Sequence, residues 1–110
     1  MQEEPDYRQL NETLQQLEER LREVQWWSST APEPGALASS LPFCADTMAF
    51  EHWLQWVFIP RMRSLMDEGH PLPGRSGLAP MGEMAWQEQP REAFLLLPLL
   101  RRIDRMLNNG

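Results

Sequence analysis

Lysine is absent from this chain. All ten basic residues are arginine, set against sixteen acids, so the formal net charge is −6 over 110 residues. A composition bias accounts for the arginine preference as well as any function does. The single cysteine, Cys44, excludes an intrachain disulfide and reads best as a small buried apolar residue. Only two histidines occur, His52 and His70, and no HExxH, CxxC or comparable spacing surrounds them. No metal site is therefore expected. No glycine-rich phosphate loop is present either, because PGRSG at 73–77 has no lysine and follows no strand. No apolar run approaches the roughly 18 residues of a membrane span. The opening MQEEPDYRQ is acidic and polar, unlike a signal or transit peptide. The expectation is a soluble cytoplasmic protein with no cofactor and no membrane partner.

Strand formers are equally scarce. Two valines, two isoleucines, three threonines and one tyrosine are outweighed by Leu, Met, Glu, Gln, Arg and Ala. The first set favours a sheet and the second a helix. The fold class is therefore all-α, one domain spanning 1–110 with about four helices.

The charge is unevenly spread. Residues 1–33 carry a net −5, residues 34–90 a net −3, and residues 91–110 a net +2. Binding a phosphate backbone draws on a concentrated basic surface, so direct nucleic-acid binding is not expected. The basic tail, Arg101, Arg102 and Arg105, fits cations placed near a helix C-terminus.

Tyr7, Leu10, Leu14, Leu17, Leu21 and Val24 recur at alternating spacings of three and four, which places them on one stripe of a first helix. SSTAPEPG should end it near Trp26 or Trp27. The same spacing fits a coiled-coil seam, so a homodimer is open, although packing against the rest of the chain is the stronger reading. Residues 28–45 form a long connection with three prolines, which Leu37, Leu41 and Phe43 should anchor to the helices. A second helix is expected to begin near DTM, capped by Asp46 or Thr47, and to stop at Gly69. A short third helix should start at Pro80, with Met81, Met84, Ala85 and Glu88 at helical spacing. A fourth opens at Pro90, with Phe94, Leu97 and Leu100 on its apolar face and a kink at Pro98.

The second helix, FEHWLQWVFIPRMRSLM at 50–66, raises a harder question. On an unbroken α-helix, Phe50, Leu54, Val57, Phe58 and Leu65 form a stripe within about 80°, with Trp53 about 60° to its other side. Trp56 and Ile59 point elsewhere, and Met62 and Met66 flank a further side with Gln55. A helix apolar on several faces is normally central in its fold. Arg61 falls about 20° from Phe50, inside the stripe. A buried guanidinium requires a partner, so either Pro60 rotates the following turn away, or Arg61 holds an anionic ligand or partner, or, as the stronger expectation, Arg61 pairs with Asp46 or with a carboxylate of the first helix. Asp46, Thr47, His52, Trp53, Gln55, Trp56 and Arg61 are the candidate binding or structural polar cluster. No catalytic constellation stands out. Carboxylates such as Glu18 and Glu19 read as solvation, and nothing in the sequence calls for an enzyme.

PF followed by DTM, then WLQW, FIPRM, PLPG, APM, LLPLL and RRID, resembles the YqcC-like family of small bacterial proteins across roughly residues 5 to 107. WLQWVFIPRM is the specific block. The resemblance implies a helical protein with no established activity, encoded near a tRNA pseudouridine synthase. It supplies no catalytic residues. Two functional readings follow. One is a non-enzymatic protein-interaction or accessory module, with a protein partner and a link to tRNA pseudouridine modification. The alternative is a small-ligand-binding or enzymatic protein using a pocket near Trp53 and Arg61.

Overall fold

The computed structural model describes residues 7–108. Its helices are α1 (Tyr7–Glu23), α2 (residues 50–68), α3 (Leu78–Ala85) and α4 (Pro90–Asn108). No strand occurs among the described residues. One core cluster draws on all four helices. α1 and α3 lie chiefly along α4, and α1 also meets the second half of α2.

α1 buries Leu10, Leu14, Leu17 and Leu21 almost completely, as their spacing predicts. The stripe that would form a coiled-coil seam is thus used within the chain's own core. Thr13 shares that face, and its hydroxyl donates to the Gln9 carbonyl at 2.9 Å, which satisfies it without a partner from another element. The helix ends earlier than Trp26. Gln25 turns left-handed at φ 65°, Trp26 N–H bonds back to Leu21 O, and Gln25 N–H bonds to Arg22 O. This paired bonding is the Schellman closure, normally built on glycine. Gln25 carries no sequence signal for it. α2 closes in the same way at Gly69, φ 72°, with His70 N–H on Leu65 O.

The connection between α1 and α2 contains two short 3₁₀ turns, Pro34–Ala38 and Pro42–Cys44. Leu37 and Leu41 remain about half exposed, so they do not anchor it, contrary to expectation. Phe43 does. Its ring packs edge-on to Phe50 and Trp53 at 5.5 and 5.0 Å. Cys44 is buried, as expected.

α2 starts at Phe50, not at Asp46 or Thr47. Both residues are engaged in the preceding loop. Asp46 accepts from the Ser39 hydroxyl, and Thr47 Oγ1 donates to Ala36 O at 2.8 Å. The helix is α-helical over Phe50–Trp53, π-helical over Leu54–Phe58 and α-helical again over Ile59–Glu68. Within the π turn, Ile59 N–H donates to Leu54 O, five residues back. Pro60 explains why. It has no N–H for the Trp56 carbonyl, and its ring would crowd that carbonyl in a regular turn. The wider π turn relieves the crowding and absorbs one extra residue.

That extra residue delays every later side chain by about 100°. Met62 moves into the core slot that an unbroken helix assigns to Arg61. Ile59 and Met62 are each 1% exposed, whereas Arg61 is exposed. The sequence-based placement of these three residues is corrected on that ground. Arg61 forms no ion pair among the described residues. The link to a first-helix carboxylate is made instead by Arg63, whose guanidinium donates to Glu18 and Gln15 at 3.4 Å each.

α3 begins at Leu78, two residues before Pro80, and buries Leu78, Ala79 and Gly82, with Trp86 just beyond its end. A side chain at Gly82 would meet Leu97 and Leu100 at 3.0 Å, so the glycine sets the close approach of α3 to α4. Met84 lies outside the core. So does Phe94, which is 79% exposed despite its expected place on the apolar face of α4. α4 continues through Pro98 as a single helix. Pro98 has no N–H to offer the Phe94 carbonyl, and both residues are exposed.

Candidate functional site

Six aromatic rings run in contact through the molecule. Trp26 meets Trp86, which meets Phe50; Phe50 meets Phe43 and Trp53; and Trp53 stacks on Phe58, all with centroids 5.0–5.9 Å apart. Trp86 is buried, and its indole N–H donates to Glu51 at 2.9 Å, which meets the need of a buried indole for an acceptor. Phe43 holds the middle of this row at a backbone cost. Phe43 and Cys44 are both left-handed, at φ 60° and 50°, a conformation that non-glycine residues enter at about 1–2 kcal/mol each.

Two clefts share Phe43 in their linings. One, of about 440 Å³, lies beside Trp26, Met48, Glu51 and Trp86. Its carboxylate is already bonded to the Trp86 indole. The other is about 380 Å³ and is walled by Phe43, Trp53, Val57, Phe58, Met62, Leu78 and Leu107. Arg61 and Arg75 complete its lining, with Pro73, Ser76 and Gly77. The π turn shapes this cleft directly. It places Met62 at the wall and brings Arg61 to the opening.

The opposite wall depends on a clamp that sequence reasoning missed. Asp104 on α4 is only 9% exposed. Its carboxylate accepts from the Ser76 hydroxyl and from the backbone N–H groups of Leu78 and Ala79 at 3.0 and 2.9 Å. It therefore caps α3 from another helix, placing negative charge at the positive end of the helix dipole. One turn later, Asn108 accepts from Ser76 N–H at 2.7 Å and donates back to Ser76 O at 3.3 Å. Two side chains four residues apart thus hold the backbone of the segment that carries Arg75. In the sequence, Asp104 sits among arginines in RRIDR, where nothing marks its partners. The i, i+4 pairing of Asp104 with Asn108 was the available signal.

The candidate residues separate. Trp53 and Arg61 share the 380 Å³ cleft. Asp46 and Thr47 belong to the loop contacts described above. His52, on the first turns of α2, is partly buried and outside the cleft lining. Gln55 is buried and structural: its amide accepts from Ser28 N–H and donates to Ser28 O, both at 2.7 Å, fixing the chain just past α1 onto the π turn. Trp56 is partly buried and lies outside the core cluster. The cleft lining contains no histidine, cysteine or carboxylate. It offers an apolar enclosure with two cations, and the Ser76 hydroxyl in its lining is bonded to Asp104. No group of His, Cys, Asp and Glu among the described residues could hold a metal ion, and no described helix is long and apolar enough to cross a membrane.

Comparison with known proteins agrees with the helical architecture. The chain is 44% identical over 93 residues to the uncharacterised protein YqcC of Escherichia coli K12, covering 84% of this chain and 85% of that one. The solution NMR structure of protein YqcC from E. coli superposes with a TM-score of 0.83 at 40% identity, over 96% of this chain and 91% of that chain. A third similarity is shorter. Over 65 residues the chain is 46% identical to a protein of Pectobacterium carotovorum subsp. carotovorum named tRNA pseudouridine synthase C, which covers 59% of this chain but 17% of that protein. The family model described as tRNA pseudouridine synthase C matches residues 9–106. With nearly the whole chain matched in this way, the protein belongs to the YqcC-like family.

Proposed function

We propose that this protein is a non-enzymatic interaction module that accompanies a tRNA pseudouridine synthase in the cytoplasm. One observation carries the reading. A stretch similar to this chain forms 17% of a protein named tRNA pseudouridine synthase C. Two modules that act together gain from being joined, because the link raises the effective concentration of one around the other. A separate chain of the same family would serve the same association through a surface. The net charge of −6 supports contact with the enzyme rather than with its RNA. The cleft supports a binding role, since it combines apolar and aromatic walls with a few polar groups.

The test pairs this chain with the tRNA pseudouridine synthase C of the same organism. Calorimetric titration should give saturable binding, and pseudouridine formation in tRNA should change in rate or site selectivity when the chain is added. Absence of both effects would refute the reading. Binding of tRNA by this chain alone, weakening steeply with salt, would move the contact from enzyme to RNA.

A further inference from the structure

The 380 Å³ cleft has a composition unlike the chain around it. Sixteen acids and ten arginines make the protein acidic, yet two arginines and no acid line this cleft. Arg61 and Arg75 are both exposed, and neither forms an ion pair among the described residues. Elsewhere on the surface, Arg20, Arg22, Arg63 and Arg101 each reach a glutamate, while Arg8, Arg91, Arg102 and Arg105 form no ion pair among the described residues; what sets Arg61 and Arg75 apart is that they share one cleft. Behind the two cations the walls are apolar and aromatic, with Trp53 in contact with both Phe43 and Phe58. Ligand clefts run from about 300 to 1,000 Å³ and combine apolar walls with a few placed polar groups. The volume here fits the small end of that range.

The two sides of the cleft are also held in place. On one side the π turn fixes Arg61 outward by placing Met62 in the core. On the other, Asp104 and Asn108 clamp Ser76, next to Arg75. Phe43 stands in a costly left-handed conformation where its ring forms part of the wall. A guanidinium offers a planar fork of donors that matches a carboxylate with two parallel bonds.

We propose that this cleft binds a small amphipathic carboxylate, with its apolar body against Phe43, Trp53 and Phe58 and its carboxylate on Arg61 and Arg75. The inference stands independently of the synthase association, because it concerns a small molecule and requires no second protein.

Decanoate, below its micellar concentration, is the probe. Titration into ¹⁵N-labelled protein should shift the backbone signals of Val57, Arg61, Arg75 and Leu78 and the indole signal of Trp53, with saturation. Decanol supplies the body without the charge, and acetate the charge without the body; each should bind about tenfold more weakly or worse. Arg61→Gln with Arg75→Gln should weaken decanoate about tenfold and leave decanol unchanged. Both residues are exposed, so the variant should keep the wild-type fold and spectrum. Equal binding of decanol and decanoate, shifts confined to other parts of the protein, no saturable shift, or undiminished decanoate binding by the double variant would each overturn the proposal.

Discussion

α1 and α2 are helices of similar length that close with the same left-handed turn, yet their side chains follow different rules. α1 keeps one stripe throughout. Leu10, Leu14, Leu17 and Leu21 repeat at the helical period, and all are buried. α2 follows its first stripe through Phe50, Leu54 and Phe58, then resumes it one residue late at Ile59 and Met62. The difference teaches that helical periodicity reports the backbone hydrogen-bond pattern as much as the side chains. Where that pattern changes, as it does ahead of Pro60, the wheel must be rotated before it is read.

The largest expected effect tests that rotation. Met62→Ala should cost about 2–5 kcal/mol, as Leu17→Ala should in α1, because each removes a fully packed side chain. Arg61→Met should remain within about 0.5 kcal/mol of wild type, since it changes an exposed residue. Urea unfolding of the three variants checks this. A costly Arg61→Met beside a tolerated Met62→Ala would mean that α2 follows the uninterrupted wheel.

A smaller effect concerns the bond between the two regions. Gln55→Leu should destabilise by about 1–2 kcal/mol, because the Ser28 N–H and C=O both lose their partner. Hydrogen exchange at the Ser28 amide should quicken in this variant more than exchange within α1. Unchanged protection at Ser28 would show that other contacts hold the segment.

The two helix ends should respond with opposite signs. Gly69→Ala is expected to cost about 1 kcal/mol, and Gln25→Gly to add about 0.5 kcal/mol, because both positions are left-handed and only glycine adopts that conformation freely. Thermal unfolding that moved both variants in the same direction would contradict the shared closure. Smallest of all, Arg63→Met removes the contact of α2 with Glu18 and should cost roughly 0–1 kcal/mol, fading with added salt.

These elements also show what the sequence made legible. The all-α class followed from the scarcity of strand formers, and the α1 stripe from its spacing. Gly69 announced its turn because glycine is the usual residue for it; Gln25 performs the same turn without any such mark. Arg61 was misplaced because a modest kink at Pro60 would not carry it out of the stripe, whereas a π turn, which a single-period wheel does not contain, rotates it by a full residue. Asp104 was hidden for another reason. Its partners, Ser76, Leu78 and Ala79, lie 25 to 28 residues away in sequence, and two of them offer only backbone N–H groups, which no residue type reveals. Of the candidate cluster, Trp53 and Arg61 share a cleft through a backbone rearrangement that their spacing did not contain.

The π turn has a consequence for chain length. It acts as a one-residue insertion that the helix has absorbed instead of extruding as a loop. A family member with one residue fewer between the positions of Leu54 and Phe58 would close this turn to an ordinary α-helical one and still present the same residues to the core downstream. It would do so most readily without a proline at the position of Pro60, because an ordinary turn accepts one only at the loss of a hydrogen bond, as α4 does at Pro98. A chain carrying both the deletion and the proline should therefore be less stable than one carrying the deletion alone.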